Sequence, residues 1–330
     1  MKLLIATITA TVYGLSLRLC FGLLNGIMDI MSISFLVLAP MIIGFLTVII
    51  FMRKKIMKPV VAYFLPWATS LVILVVTIML NIEGSICWVM IFPFFAAISG
   101  LGGLIGYYFK KKYFKNKQNY DMNVLDDMEN WDGPGTLKIS VILLLPLILG
   151  PIEGNNSLIP EDIEVNQTIV IHASQQDVWK ELTRNEVKKD KKELHLVNYL
   201  GFPNHVKTKL FSLKKGGKRI SVYEKGLYFK ETITDFKENE KLVLAIDVDP
   251  KKIPPTVMDE HILIGGKHID INEDTYILKA ISPEITELSL TTKFTIATPF
   301  NWYAGWWAKL LMNDIISGEL NLIQSKASNN

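Results

Sequence analysis

Cysteine is nearly absent from this chain, with two residues, Cys20 and Cys87, in 330. Both lie inside apolar runs, so they read as small buried hydrophobes; a disulfide framework or a thiolate metal site is excluded. Histidine is scarce too, five in all, and none stands at a spacing such as H-E-x-x-H that would put two metal ligands on one helix face. There is no Gly-x-Ser-x-Gly elbow and no phosphate-cradling glycine loop. A strong basic excess is also missing. The net charge is +3, so nucleic acid is not an expected partner. No metal or cofactor is expected either.

What the sequence does have is hydrophobicity, concentrated in its first half. Residues 1–152 hold 12 Lys+Arg against 7 Asp+Glu, and residues 153–330 hold 23 against 25. Four runs, Leu3–Leu24, Ile33–Met52, Pro59–Leu80 and Ser85–Phe109, are long and apolar enough to cross a bilayer as helices. A fifth, Leu137–Ile152, is shorter and carries Pro146 and Pro151. The first run is too long for a cleaved signal peptide and no small-residue cleavage pattern follows it. Basic clusters sit after the second run (Arg53, Lys54, Lys55, Lys58) and after the fourth (Lys110, Lys111, Lys112, Lys115, Lys117), whereas the alternate connections carry Asp29 and Glu83. The positive-inside rule then puts the N-terminus in the cytoplasm of an inner, plasma-membrane protein. If the fifth run crosses, everything after it is extracytoplasmic, which the acidic residues Glu153, Glu161, Asp162 and Glu164 favour. If it lies in the interface, the second half is cytoplasmic.

Arg18 within the first run is a costly intramembrane charge unless paired. It marks either a polar path or substrate contact, or else an interfacial, snorkelling arginine or a structural ion pair, with Asp29 or Glu83 as partner. The stretch Ser99–Gly106 (SGLGGLIG) has small residues four apart, which lets helices approach closely, within this bundle or in a dimer.

From Val165 the pattern changes to that of a soluble α+β domain. VNQTIVIHA alternates like a strand, and Ser174-Gln-Gln-Asp177 is a capping box opening a helix through Val178, Trp179 and Leu182. Lys188–Lys192 is a polar stretch. Strand-like segments with turn signals follow at 205–213, 219–236 (broken at Gly226), 242–249, 258–281 (with a turn at Gly265–Gly266) and 285–296. Thr298-Pro299 reads as the N-cap and first position of a final helix. The order is strand, helix, six or so antiparallel strands, long helix.

At this point the chain resembles a known superfamily, the START-like or SRPBCC helix-grip proteins, which include polyketide cyclase/dehydrase-like members. The residues that carry the likeness are IVIHASQQDVWKELT (169–183), GLYFKETITDF (226–236), DEHILIGG (259–266), TYIL (275–278) and NWYAGWWAKLLMNDI (301–315). The resemblance implies a curved antiparallel sheet gripping the C-terminal helix, with an apolar cavity for a hydrophobic ligand between them. The expected organisation is a transmembrane helical domain of five spans (1–152), a linker (153–163) and a START-like domain (164–330). The expected partners are the bilayer, a hydrophobic small molecule or lipid, and a membrane protein of unspecified kind. The alternatives are a cyclase- or dehydratase-like enzyme using the same cavity and a non-catalytic, membrane-tethered interaction module.

For chemistry, the densest constellation is Asp259, Glu260 and His261 beside His268 and Asp270, on strands read as joined at Gly265–Gly266. A histidine next to a carboxylate can act as a general base. Otherwise these are exterior residues of an antiparallel pair, where opposite charges often meet. Tyr223, Glu231 and Tyr276 are the candidates for orienting a ligand in the cavity. In the last helix, Ala304, Ala308, Leu311, Ile315 and Leu322 share one side, the expected grip face. Trp302, Tyr303, Trp306 and Trp307 fall mostly on the other. They have three possible surfaces: the Pro-rich 250–258 loop, the membrane interface or helix bundle, and the ligand entrance.

Overall fold

The structure is a computed structural model that describes residues 2–24, 27–52, 57–118, 135–153, 158–188, 196–253 and 263–328. It divides into two compact units, one comprising Met1–Glu83 and Cys87–Ser157, the other built on Leu158–Asn330.

The first unit is helical: α1 (Lys2–Leu23), α2 (Ala39–Phe51), α3 (Pro59–Met79), α4 (Ser85–Gln118) and α5 (Gly135–Glu153). A π-helical turn, Ser34–Leu38, leads directly into α2. Four helices (Lys2–Leu23, Ser34–Phe51, Pro59–Met79 and Ile86–Lys112) are long and apolar enough to cross a membrane; the apolar part of α5, Val141–Glu153, is shorter. The outward surface is apolar, with Ile8, Val12, Phe64, Leu71, Val75, Ile105 and Ile148 exposed, while hydroxyls are buried inside. Thr47 Oγ1 donates to Ile43 O and contacts Thr69 Oγ1, Ser70 Oγ meets Ser99 Oγ at 3.1 Å, and Trp88 Nε1 donates to Thr77 Oγ1. Glycines of α4 close the bundle. A Cβ on Gly102 would lie 1.9 Å from Met41 O, and one on Gly103 2.2 Å from Ala62 O, so the small residues serve packing within this chain.

The ends of this unit differ in charge. Arg18 is ion-paired with Glu83, while Asp29 accepts from Met31 N. The Arg18 charge is therefore neutralised by Glu83. α5 runs alongside α1 in the same direction: Tyr13 Oη donates to Leu143 O (2.7 Å), and further along a Cβ on Gly150 would lie 3.0 Å from the Phe21 ring. At the end of α5 the Glu153 carboxylate accepts from Ile33 N, Ser34 N and Ser34 Oγ (2.6, 2.9 and 2.6 Å). This anion sits on free amides at a helix start, where charge and dipole agree. Lys58, Lys110, Lys111 and Lys112 belong to the opposite end, where Lys110 Nζ donates to Ile49 O. Arg53, Lys54 and Lys55 and the acidic stretch Asp121–Asp132 lie outside the described residues.

The second unit is an eight-stranded antiparallel sheet in the order β1-β8-β7-β6-β5-β4-β3-β2. Its strands are β1 (Pro160–Ile171), β2 (Glu186–Lys188), β3 (His205–Leu210), β4 (Lys218–Tyr223), β5 (Tyr228–Lys237), β6 (Lys241–Asp247), β7 (Ile269–Ser282) and β8 (Ile285–Ala297). Two short helices, α6 (Gln175–Leu182) and α7 (Leu196–Tyr199), and the long α8 (Asn301–Ala327) complete it. Period-2 alternation sends Ile163, Val165, Leu288, Leu290, Phe294, Ile233 and Leu244 to one face, where they form the core against α8. The capping box holds: Ser174 Oγ accepts from Asp177 N at 3.2 Å. At Lys225 and Gly226 (φ 57° and 82°) the chain turns sharply, so β4 and β5 form a hairpin.

Three sequence expectations change. Gly265–Gly266 lies within a single parallel bridge from Ile264 to Ile269 rather than an antiparallel turn, and most of the strand expected before it falls outside the described residues. α8 begins at Asn301, two positions after Pro299, because Thr298 is engaged ahead of it: its N–H and hydroxyl donate to Asn301 Oδ1, and its Oγ1 accepts from Phe300 N. The grip line of α8 is Gly305, Met312, Ile316, Leu320, Ile323 and Ala327. Ala304 and Ala308 only flank it.

Candidate functional site

The inner face of the sheet is not uniformly apolar. The hairpin register sets Arg219 of β4 directly opposite Glu231 of β5, and both side chains are 5% exposed. Their facing atoms, Nε and Oε2, are 2.7 Å apart. The other Glu231 oxygen accepts from Ser221 Oγ (2.6 Å). Ser221 Oγ meets Thr208 Oγ1 (3.1 Å), which contacts His205 Nε2 (2.8 Å). From the helix side, Glu319 Oε1 accepts from Arg219 (3.0 Å) and from Tyr276 Oη (2.6 Å). A chain of polar groups thus runs from His205 on β3 through β4 and β5 to α8 and back to β7. Asp274, two residues before Tyr276 and on the same face, accepts from Thr292 Oγ1 (2.5 Å).

Beside this chain, among the described residues, is a cavity of about 80 Å³ between β3, β4, α6, α7 and α8. Its polar lining includes His205, Thr208, Arg219, Glu319 and Glu181; its apolar lining includes Leu182, Val197, Phe202, Ile315, Leu322 and Ile323. Glu319 lies deep in the domain yet its side chain is 28% exposed, because it faces this space. Its Oε2 makes no hydrogen bond to a described residue. Tyr223 also lines the cavity and packs edge-on against Phe202, His205 and Phe229.

One guanidinium touches two of three clustered carboxylates, Glu231 and Glu319 but not Asp274, and the protonation preferences follow. Burial penalises each carboxylate. It raises Glu231, with Arg219 and the Ser221 hydroxyl pulling the other way. It pushes Asp274 up to about 7, where the Thr292 hydroxyl does not offset burial and the nearby charges of Glu319 and Glu231. For Glu319, burial is outweighed by Arg219, the Tyr276 hydroxyl and His205, so this carboxyl stays below its usual range. Burial raises both tyrosines, Tyr223 and Tyr276, so both remain neutral donors. Arg219 stays charged because its carboxylates outweigh its desolvation.

Tyr223, Glu231 and Tyr276 therefore belong to one cluster, Tyr223 on the cavity wall and the other two behind it. His268 and Asp270 do not line the cavity. His268 is buried with Nδ1 2.9 Å from Ala297 O, and Asp270 is partly buried on β7, its carboxyl raised by burial. Asp259, Glu260 and His261 lie outside the described residues. Trp302 and Trp306 are 72% and 58% exposed, and Trp307 is partly buried. Sequence reasoning missed Arg219, Glu319, Asp274 and Ser221. Their signal was parity: Arg219, Ser221 and Tyr223 alternate on one strand face, and Glu319 interrupts the apolar line from Ile316 to Ile323.

No family model matches the chain, and no curated protein sequence matches it. Solved structures do match. A conserved protein of unknown function from Enterococcus faecalis is 18% identical, with a TM-score of 0.23 over 40% of this chain; the chain spans 56% of that protein's length. An aromatase/cyclase from a Streptomyces species is 14% identical with a TM-score of 0.32, covering 51% of this chain and 94% of its own. A START superfamily protein from Mycobacterium smegmatis is 12% identical with a TM-score of 0.34, covering 50% and 97%.

Proposed function

We propose that this protein is a membrane-anchored helix-grip domain that binds a compact, mostly apolar small molecule with a polar head, on the extracytoplasmic side. The observation that carries the ligand reading is the cavity against α8, lined by Leu182, Val197, Phe202 and Leu322 together with the Glu319 side chain. Sites of this design use a few placed polar groups to orient an otherwise apolar ligand. The cavity, about 80 Å³, is well below the ~300–1,000 Å³ of drug-sized pockets. Its size favours a compact molecule over an acyl chain.

The membrane reading is supported by the inverted surface of the first unit, apolar outside with hydroxyls and glycines within. The side is supported by α5, which runs parallel to α1 and ends against Ile33 and Ser34, just after Asp29, rather than beside the lysines. With lysines cytoplasmic, the chain leaves α5 on the outer face.

The test is mass spectrometry of small molecules retained by the full chain purified from its membrane. Wild type should carry a bound species that Leu322→Trp, which fills the cavity, loses. Equal recovery from both would refute the assignment of the site. A second reading, an acid–base enzyme of the cyclase or dehydratase kind, is favoured by one feature, the ionised Glu319 facing the cavity beside the Tyr276 hydroxyl. Glu319→Gln that keeps the ligand but accumulates it unchanged would support that reading.

A further inference from the structure

The start of α8 carries a surface that the sheet does not use. Trp302, Trp306 and Leu310 are 72%, 58% and 38% exposed. At spacings of four they occupy successive turns on one side of the helix. Ile159, 68% exposed, joins them: Asn301 Nδ2 donates to Ile159 O at 2.6 Å, fixing the start of β1 to the start of α8. The rings are supported from behind by Tyr303 (5.6 Å from Trp302) and Trp307 (4.9 Å from Trp306), both edge-on. The stripe stops after Leu310. Asn313 and Ser317 turn instead to Gln167 of β1 through hydrogen bonds. The exposed apolar surface is thus confined to the end of the helix next to the chain's entry into the domain.

That entry point identifies the occupant. Ile159 follows Glu153, the last residue of α5, by six positions, and six residues of chain reach at most about 20 Å. We propose that Trp302, Trp306, Leu310 and Ile159 form an interfacial anchor that inserts at the headgroup–acyl boundary of the bilayer crossed by the first unit. The proposal rests on the membrane reading above. Indole rings, apolar but with one N–H donor, favour this depth of a bilayer, and lysine stems beside them can reach the headgroups; Lys309 is exposed within the stripe. Because the tether keeps the patch near the surface, a modest apolar area suffices for lasting contact.

The test uses the full chain in phosphatidylcholine–phosphatidylglycerol nanodiscs, with Cys20→Ala and Cys87→Ala as background. A nitroxide is placed at Trp306→Cys, at Ile8→Cys on the apolar outside of α1, and at the exposed Lys237→Cys as an aqueous reference. Collision rates with lipid-soluble oxygen and with a water-soluble nickel chelate are compared. The anchor predicts a Trp306 label dominated by oxygen, shallower than the label at Ile8, with the Lys237 label dominated by nickel. If Ile8 reports lipid while Trp306 reports water, or is shielded from both reagents as under a protein partner, the anchor is wrong and the membrane reading stands. If Ile8 itself reports water, both fail.

Discussion

Arg219 settles how three carboxylates share one interior. It touches Glu231 and Glu319 but not Asp274, whose hydrogen bond comes from Thr292. Buried charge without a cation is expensive, so Asp274 holds a proton instead. Its folded value near 7 exceeds the usual 3.8. The folded domain then keeps a proton that the unfolded chain releases, and stability falls as pH rises from about 4 to 7 and stays low above it. Asp274→Asn removes this loss while leaving an oxygen to accept from Thr292. The variant should match wild type near pH 4 and exceed it at pH 8 by at most about 4 kcal/mol, the equivalent of roughly three pH units. Denaturant unfolding across that range checks it; a gain that does not depend on pH would contradict the assignment.

Elements were far more legible in the sequence than their faces were. Runs of apolar residues located all five N-terminal helices, and alternation with turn residues located the long strands, because burial on one face writes a period of two directly. Ser174 fixed the start of α6 through its capping bond. The faces failed where a local irregularity broke the count. A left-handed Lys225–Gly226 turn hid the parity linking Arg219 to Glu231, and the grip line of α8 runs through Gly305 and Met312, whereas a wheel built on alanines and leucines placed it on Ala304 and Ala308. The polar cluster was half legible: Tyr223, Glu231 and Tyr276 were candidates, but Glu319 did not stand out among the polar residues of the last helix. Helix contacts in the first unit carry their own test. Gly102 meets the Met41 carbonyl with no room for a methyl group, so Gly102→Ala must part α2 from α4. Overpacking of this kind costs about 1–3 kcal/mol. The thermal midpoint in detergent should drop for Gly102→Ala, while Ile105→Ala on the exposed side of the same helix leaves it near wild type. Equal effects would argue that the α2–α4 contact is not as close as described.

For the whole molecule, the two units bury opposite kinds of group. The first unit turns its hydrophobes outward and its hydroxyls inward; the second buries its hydrophobes between sheet and α8 and keeps one polar chain among them. The cavity beside that polar chain suits the compact, mostly apolar ligand proposed above. The central claim, that the cavity beside α8 holds such a molecule, is tested most directly by photo-crosslinking from inside it. A benzophenone amino acid at Leu322, in the full chain in membranes, should capture a small molecule whose added mass is read on the peptide carrying position 322. Captures confined to the chain's own lining, such as Val197 or Phe202, with no small-molecule adduct, would contradict the account.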